Sequence, residues 1–385
     1  MTRLTGGRPK VSFVIPCYNF AHLLPECVGS ILSQTFEDFE VLIMDDCSPD
    51  ATPEVAASFH DDRVLHVRNP TNLGHLRNYN KGIEMARGEY VWLISADDLL
   101  RRRYILEEYL GLMDRHPSVG FVICPAMKLE NGVETSVYAS HGPRNAVIRG
   151  RDFLRTLLAG NSVPVAAAMA RKAAYLRVGM YPEDMPFAGD WYLWARLSLI
   201  GDVGYFAEPM VYYRVHPLNM TNEYLTRRAP ALVADEVAVR WRILRELEAE
   251  SDRALRSECE AAIAGDYAWR AGRRITEEWP LGLSVDEFER SLEAYARTRT
   301  EGARIRSVVY TAVADAYVET NRPALARQFY VSALRLDPRK IRTWAKLLLV
   351  HLGQPGAWLR GGLVALRKSP NLVRATVRGP QRTRL

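Results

Sequence analysis

The stretch VSFVIPCYNFAHLLPECVGSILSQTFEDFEVLIMDD, residues 11–46, contains two short apolar runs separated by a helical pattern. Val11–Pro16 is rich in β-branched and aromatic residues, which is typical of a buried strand. In His22–Gln34 the apolar side chains recur at helical spacing, and Glu40–Met44 is a second strand-like run. The order strand, helix, strand predicts a βαβ unit, whose two strands lie parallel in one sheet.

The same alternation continues as far as Cys124. Repeated βαβ units predict an α/β fold, a doubly wound and mostly parallel sheet flanked by helices. After a less regular segment, interpreted as a loop or hairpin over residues 130–150, a helix is predicted over Asp190–Leu199. The other predicted strands are Arg63–Val67, Tyr90–Ser95 and Val119–Cys124, and the other predicted helices begin near Thr52 and cover Leu76–Ala86 and Arg103–Arg115.

Polar residues gather directly after three of these strands. Ligands of doubly wound sheets bind at the carboxyl ends of the strands, so these residues predict a site. Paired carboxylates suit a hard divalent cation that also binds phosphate oxygens, although capping of the next helix explains the same residues. The residues are Tyr18 and Asn19 after the first strand, Asp45 and Asp46 after the second, and Asp97 and Asp98 after Tyr90–Ser95.

No glycine-rich phosphate loop follows the first strand, where the sequence is IPCYNF. The missing GxGxxG argues against a dinucleotide-dependent dehydrogenase, and GxxxxGK(S/T) does not occur in the chain. A nucleotide bound at this edge would need a metal and a cationic side chain for its phosphates. Arg77, near the start of a predicted helix, is a candidate for that cation.

The chain has 385 residues, of which 48% are hydrophobic and 25% charged, values that exclude a collagenous or wholly disordered protein. Its formal charge of +6 comes from the C-terminal end, since residues 338–385 contain eleven Lys and Arg and no Asp or Glu. Five cysteines without a CxxC pair indicate reduced thiols. No apolar run approaches the ~18 residues of a membrane span. We therefore expect a cytoplasmic protein, peripheral at most on the inner face of the membrane.

Three ordered blocks resemble family-2 glycosyltransferases, which have a GT-A fold. They are residues 11–52, NPTNLGHLRNYNKGIEMARGEYVWLISADD at residues 69–98, and a third block that runs from Val178-Gly179 through FAGDWYLWARLSLIGDVGYFAEPMVYYRVHPLNMT and ends at residue 221. The resemblance covers roughly residues 10–222. It implies an inverting transferase that moves a sugar from a nucleotide-diphosphate sugar, with UDP favoured, to an acceptor hydroxyl.

The resemblance also implies a set of residues around the donor nucleotide. The first-strand segment would line the nucleoside pocket, with Tyr18 on or beside the base. Asp46 matches the aspartate that recognises the base, Arg77 matches an arginine beside the nucleotide, and Asp97 matches a contact to the ribose or the sugar. The residues expected at the nucleotide are Pro16, Tyr18, Asn19, Asp45, Asp46, Arg77 and Asp97.

A divalent metal, Mn²⁺ or Mg²⁺, is implied at Asp98, which matches the last residue of the family's DxD-type element. Asp190 matches the catalytic base that takes the proton of the acceptor hydroxyl, although the same side chain could cap the helix that follows. Arg214 and His216 match a late element that closes over the diphosphate, and His216 is a second candidate metal ligand. Trp191 is a candidate for stacking on the acceptor side.

From about residue 223 the sequence is rich in Ala, Glu, Arg and Leu and predicts an all-α region. The spacing of small and aromatic residues from Tyr310 to Pro338 resembles one tetratricopeptide repeat, and any helical hairpin with small residues at the crossing fits equally well. The predicted organisation is an N-terminal tail (1–9), a GT-A domain (10–222), a helical extension (223–300), a helical hairpin (301–355) and a basic tail (356–385).

Three functions remain open at this stage. The first is a glycosyltransferase acting on a glycan, a lipid-linked sugar or a small molecule, as in bacterial surface-glycan or natural-product synthesis. A sugar nucleotidyltransferase would need a glycine-rich loop after the first strand, and a non-catalytic binding protein would act through its helical C-terminus. We expect no nucleic-acid partner. The basic tail is a candidate for contact with an anionic membrane, and the C-terminal helices are candidates for forming an oligomer.

Overall fold

The computed structural model describes residues 7–248 and 252–352, and the basic tail predicted over residues 356–385 lies outside this range. The chain divides into two compact units, which we call unit 1 (Met1–Thr226) and unit 2 (Arg227–Leu385). Among the described residues, no helix combines the length and the apolar character needed to cross a bilayer.

Unit 1 contains twelve strands and eight α-helices within the described residues. The strands are β1 (Val11–Cys17), β2 (Phe39–Asp45), β3 (Val64–Arg68), β4 (Tyr90–Leu93), β5 (Leu99–Leu100), β6 (Val119–Ile123), β7 (Ala126–Glu130), β8 (Val133–Tyr138), β9 (Ala146–Ile148), β10 (Met169–Arg171), β11 (Asp202–Tyr205) and β12 (Val211–Val215). The helices are α1 (Leu24–Leu32), α2 (Thr52–Ala57), α3 (His75–Met85), α4 (Ile105–Arg115), α5 (Gly150–Ala159), α6 (Lys172–Val178), α7 (Gly189–Ile200) and α8 (Met220–Thr226), with a 3₁₀ turn at Val165–Ala167.

Eight strands form the main sheet, in the order β3-β2-β1-β4-β10-β6-β11-β9. The first four are parallel, and β10 runs antiparallel to both of its neighbours, β4 and β6. The prediction of a mixed α/β sheet flanked by helices is therefore confirmed. Strands β1 and β2 are buried along their whole length because helices cover both faces of the sheet.

A stack of aromatic rings fills the core on one side of this sheet. The rings of Phe13 and Trp92 lie 5.4 Å apart, and those of Trp92 and Tyr109 lie 4.9 Å apart. The indole N–H of Trp92 donates to the carbonyl of Ala166 at 2.8 Å, which satisfies the buried donor. The stack thereby ties β4 to the segment that precedes β10.

Close packing at the amino ends of β1 and β4 requires glycine at position 88. A Cβ atom on Gly88 would stand 2.6 Å from the backbone nitrogen of Ser12 and 2.7 Å from the carbonyl carbon of Val11. The N–H of Gly88 donates to Oγ of Ser12 at 2.8 Å. This contact fixes where β4 enters the sheet and so where its carboxyl end emerges.

A second sheet, in the order β5-β12-β7-β8, stands at the carboxyl edge of the main sheet. The two-residue strand β5 follows Asp97 and Asp98 directly and pairs antiparallel with β12. Strand β12 also pairs in parallel with β7, which forms a hairpin with β8. Because α4 begins only at Ile105, the acidic pair precedes a strand and does not cap a helix.

Unit 2 is helical throughout its described residues, as predicted. Helices α12 and α13 pack antiparallel, as two contacts show. Ser307 Oγ donates to the carbonyl of Ala333, and the ring of Tyr310 lies 5.4 Å from that of Phe329. They occupy the region of the predicted helical hairpin. The helices are α9 (Ala229–Glu248), α10 (Arg253–Glu277), α11 (Val285–Tyr295), α12 (Arg299–Glu319), α13 (Pro323–Leu336) and α14 (Ile341–His351).

Candidate active site

Asp97 and Asp98 lie at the carboxyl end of β4, where the main sheet meets the second sheet. Asp98 is only 7% exposed, and its Oδ1 accepts a hydrogen bond of 2.9 Å from the backbone N–H of Arg214. Its other oxygen receives no hydrogen bond from the described residues. Burial and the adjacent charge of Asp97 hold the pKa of Asp98 well above its usual range. A positive charge beside this carboxylate would relieve both effects.

Arg214 spans the acidic turn. It lies on β12, and its Nε donates to the backbone carbonyl of Asp97 at 2.8 Å while its Nη2 pairs with Glu26 of α1. The side chain of Arg214 is only 16% exposed. The second sheet therefore presents a guanidinium directly against the end of β4.

His216 contacts Asp97. Its Nε2 lies 3.1 Å from Oδ2 of Asp97, and its backbone N–H donates to Oδ1 of Asn219 at 2.6 Å. The Asn219 amide nitrogen also donates to the carbonyl of Arg214 at 3.1 Å. Asn219, which is 7% exposed, thus joins the histidine, the arginine and the acidic turn, and the sequence analysis missed it.

Asp190 lies in the first turn of α7, where the residue that caps the helix is Ala188. Its Oδ1 accepts from the N–H of Trp191 at 2.6 Å, and its Oδ2 accepts from Nδ2 of Asn161 at 2.8 Å. The N-cap residue is therefore Ala188 and not Asp190, although the Asp190 carboxylate still accepts an N–H of the first turn. Burial raises the pKa of Asp190 to about 6. Both carboxylate oxygens are fixed, and Asn161 is a second residue that the sequence analysis missed.

Two tyrosines show that the acidic groups share one neighbourhood. Burial raises the pKa of Tyr79, on α3, and the negative charges of Asp97, Asp190 and Asp98 raise it further. The pKa of Tyr213, on β12, is raised by burial and by the same three carboxylates. Because such effects weaken with distance, the carboxylates at the end of β4 and the start of α7 lie close enough to both rings to affect their ionisation.

Asp46 organises the loop that leads into α3. Its Oδ1 accepts hydrogen bonds of 2.8 Å from Nδ2 of Asn69 and from the N–H of Leu73, and its Oδ2 accepts one of 3.0 Å from the N–H of Gly74. Asp46 is buried, with 2% of its surface exposed. Since a carboxylate oxygen can accept two hydrogen bonds, Oδ2 retains capacity for one further donor.

Asp45, in contrast, is enclosed within the protein. It is fully buried and accepts hydrogen bonds from the N–H of Ser48 and from Arg68, with His66 Nε2 at 3.3 Å. Burial opposes its ionisation, but the bonds from Ser48 and the Arg68 guanidinium outweigh that cost and hold the pKa of Asp45 below its usual range. The structure therefore places Asp45 beneath the predicted nucleotide side, facing other protein groups.

The segment after β1 lies at the same edge. Pro16 is buried in β1, whereas the side chain of Tyr18 is 43% exposed. Asn19 adopts a left-handed backbone conformation with φ of 63°, and its N–H donates to Oγ of Ser48 at 3.2 Å. This bond connects the loops that follow β1 and β2, so that the exposed ring of Tyr18 stands beside the end of β2.

Two further predicted site residues direct their side chains to other partners. Arg77 is 63% exposed in its side chain and pairs with Glu183 at 2.8 Å. Trp191 is 2% exposed, and its indole N–H donates to the carbonyl of Leu157 at 2.9 Å. A ring so enclosed has no free face for a sugar, so the predicted acceptor contact of Trp191 does not fit its position.

Part of the sequence matches a known protein family. The family model described as "Glycosyl transferase family 2" matches residues 12–176. The chain therefore contains a family-2 glycosyltransferase domain in this segment. An uncharacterized glycosyltransferase of Haemophilus influenzae is 25% identical over 221 residues, which cover 56% of this chain and 68% of that protein. Glycosyltransferase GlyG of Streptococcus pneumoniae is 32% identical over 111 residues, or 28% of this chain and 37% of that protein.

Solved structures agree on the fold of this glycosyltransferase. TarS 1–349 of S. aureus in complex with UDP-GlcNAc has a TM-score of 0.58 and 18% identity, and the match covers 90% of this chain and 92% of that one. This likeness shows a GT-A fold. Of the three functions left open by the sequence, the comparisons support the transferase. Asp190, Arg214 and His216 lie beyond the segment matched by the family model, so their positions rest on the geometry above.

The donor set of this glycosyltransferase partly fits the divalent metal implied by the family. Within residues 7–248 and 252–352, no three His, Cys, Asp or Glu side chains are grouped as a complete protein metal site. Asp98 nevertheless has a second carboxylate oxygen that accepts no hydrogen bond from the described residues, beside the further charge of Asp97. Mg²⁺ and Mn²⁺ are commonly held by one or two carboxylates together with substrate phosphates, and such a site needs no third protein ligand.

Proposed function

We propose that the chain transfers a sugar from a nucleotide-diphosphate sugar, UDP being favoured, to an acceptor hydroxyl with inversion at the anomeric carbon. Asp190 is the general base in this proposal, and Asp98 holds a divalent cation, Mn²⁺ or Mg²⁺. The acceptor is a hydroxyl of a glycan, a lipid-linked sugar or a small molecule. The single observation that carries the proposal is the acidic turn at the carboxyl end of β4, where buried Asp98 accepts the N–H of Arg214 and His216 contacts Asp97.

The environment of Asp190 supports its role as base. Hydrogen bonds to Asn161 and to the N–H of Trp191 fix the carboxylate, so it does not need to reorient before accepting a proton. A pKa of about 6 leaves most of the population ionised at neutral pH and makes the group a stronger base than an ordinary aspartate. Attack from the side opposite the leaving diphosphate gives inversion, through a transition state with oxocarbenium character.

The nucleotide lies, in this proposal, along the loops that follow β1 and β2. Tyr18 offers an exposed ring for stacking on the base, and Oδ2 of Asp46 has capacity for a base N–H. Asp45 supports Asp46 from beneath through its bonds to Ser48 and Arg68. UDP is favoured because TarS, which shares the fold, has been solved with UDP and with UDP-GlcNAc.

The diphosphate lies, in this proposal, over the acidic turn. A cation bound at Asp98 supplies Lewis-acid stabilisation of the departing diphosphate. Arg214 and His216 belong to the same turn through their bonds to Asp97, and we assign them to the diphosphate side. His216 faces Asp97 and not Asp98, so we assign the primary metal contact to Asp98 alone. Arg77 pairs with Glu183 and must leave that partner to reach a phosphate.

The test uses the full chain with Asp98→Ala and Asp190→Asn, and the exposed Asp62→Asn as a matched control. Thermal shifts with uridine and guanosine diphosphates, with and without Mn²⁺, report binding, and release of nucleotide from sugar nucleotides reports turnover. We expect Asp98→Ala to weaken nucleotide and Mn²⁺ binding together. Asp190→Asn should spare binding and abolish transfer, and the control should change neither. Normal transfer by Asp190→Asn would remove the base assignment.

A further inference from the structure

Helix α14 carries apolar side chains on two opposite sides. Its inner side packs into unit 2, where Val350 is buried against Ala326 and Tyr330 and Leu347 is partly covered. Its other side is open. The open side presents Ile341, Trp344, Leu348 and Leu352, with exposed fractions of 81%, 51%, 60% and 63%, and we call these four residues the outer face of α14.

The spacing of the outer face is helical. At about 100° per residue, positions 341, 344, 348 and 352 fall within a sector of about 80°. The adjacent Ala345 is also exposed, whereas Thr343 points inward with 3% exposure. A continuous stripe of large apolar side chains on one helix face is typical of a surface that binds something, in contrast to apolar residues scattered singly.

Basic residues outnumber acidic ones around the start of α14, where Asp337 lies among Arg335, Arg339, Lys340 and Arg342. Arg339 and Arg342 are exposed, and so is Arg335 at the end of α13. Lys346 is the basic residue of α14 that has an acidic partner, Asp315 of α12, at 2.6 Å. No Asp or Glu occurs after position 337, and residues 353–385 add seven Lys and Arg to the same charge.

The positive charge around the outer face of α14 indicates which kind of partner it binds. A second copy meeting the face about a two-fold axis would bring Arg339 and Arg342 of both copies together, which repels. Residues 353–385 carry the same sign and would repel in the same way. An anionic lipid surface attracts every one of these cations and accepts the apolar stripe at the boundary between headgroups and acyl chains. Trp344 suits that boundary because its indole combines an apolar ring with a polar N–H.

We propose that the outer face of α14 docks the chain on an anionic lipid surface. Each Lys or Arg close to such a surface strengthens binding about fivefold, and the effect weakens as salt is added. The apolar stripe supplies the part of the affinity that salt does not screen. This inference is independent of the proposed transfer reaction, because it concerns unit 2 alone.

Flotation of the full chain with vesicles tests the proposal. The vesicles are phosphatidylcholine alone, or phosphatidylcholine with phosphatidylglycerol. The test variant is Ile341→Ser with Leu348→Gln, and the matched control is Leu325→Gln, which changes an exposed leucine of α13 outside the outer face. These positions are exposed, so folding should persist, and circular dichroism checks this. We expect binding to the anionic vesicles only, with at least a tenfold higher lipid requirement for the test variant and no change for the control.

Four results would overturn the proposal. The first is equal binding of the test variant and the wild type, and the second is equal binding to both kinds of vesicle. The third is no binding to vesicles together with a concentration-dependent dimer that the test variant loses, which would assign the face to a second copy. If the test variant binds normally and only deletion of residues 353–385 abolishes binding, the membrane contact belongs to the basic tail, and the role of α14 is refuted.

Discussion

Replacing Asp190 by Asn should abolish transfer and at the same time stabilise unit 1. The two side chains have almost the same shape, so the substitution removes a charge without opening a cavity. An amide cannot accept the proton of an acceptor hydroxyl, so we expect turnover to fall by about 10²–10⁴-fold. The same buried charge costs folding free energy, because burial raises the pKa of Asp190 to about 6 from its ordinary 3.8.

The cost depends on pH in a definite direction. Since the folded-state pKa is the higher one, the folded protein holds this proton more tightly, and ionisation of Asp190 destabilises the fold as the pH rises above 3.8. The penalty reaches its full value, about 3 kcal/mol, above pH 6. At pH 5 it is about half as large, because the folded protein still holds most of this proton there.

The asparagine variant also loses a hydrogen bond. Its amide can accept from the N–H of Trp191 or from Asn161, but its NH₂ group must then face the other donor, which costs about 1 kcal/mol. We therefore expect a net gain of about 2 kcal/mol at pH 8. The hydrogen-bond loss is the same at both pH values, so the gain in unfolding free energy at pH 8 should exceed that at pH 5 by about 1 kcal/mol.

Hydrogen exchange of peptides from β1 to β4, measured at pH 8 and pH 5, reports this difference for unit 1 alone. A local measurement is needed because a chain of two units need not unfold in one step. Asp62→Asn, at an exposed position, is the control and should show no dependence on pH. If Asp190→Asn changes the unfolding free energy equally at the two pH values, or lowers it at pH 8, position 190 does not hold a buried carboxyl with a raised pKa.

Three further changes test neighbouring parts of the structure. Asn161→Ala removes the hydrogen bond that favours the charged form of Asp190. We expect kcat to fall about tenfold with little change in KM, and the acid limb of the pH–rate profile to move to higher pH. An acid limb that does not move would contradict this. Asp98→Asn should abolish the part of UDP affinity that depends on Mn²⁺, and retained dependence in titration calorimetry would contradict the metal assignment. Gly88→Ala should destabilise the chain by about 1–3 kcal/mol in urea unfolding, because a Cβ there meets the backbone of β1. The control Gly29→Ala, in open space on α1, should stabilise the chain by about 0.5–1 kcal/mol. Similar effects of the two substitutions would contradict the close packing at position 88.

The parallel half of the sheet could be predicted from the sequence, because its strands are continuous apolar runs separated by helices with regular periodicity. Strand β10 could not. It has three residues, Met169–Arg171, in an alanine-rich segment without alternation, and only its pairing with β4 and β6 makes it a strand. The same is true of β5, whose two residues form a strand because β12 lies beside them.

The candidate site divides in a similar way. The acidic groups at the strand ends are visible in the sequence because they directly follow apolar runs, and Asp190 was identified through a resemblance to a family. Asn161 and Asn219 carry no such signal, since each acts through a contact distant in the sequence. Their partners are Asp190 in one case and Asp97 and Arg214 in the other. The distinction between Asp45, enclosed by protein, and Asp46, beside the loop into α3, also required the structure.

The orientation of Asp98 depends on a peptide group. The N–H that holds its Oδ1 belongs to the main chain at position 214, and the pairing of β5 with β12 sets that N–H in place. Nineteen of the twenty amino acids would supply the same donor there, and proline alone would not. Substitution of the arginine side chain therefore tests the diphosphate contact proposed for it while the main-chain donor to Asp98 stays in place, although the bond to the Asp97 carbonyl is lost.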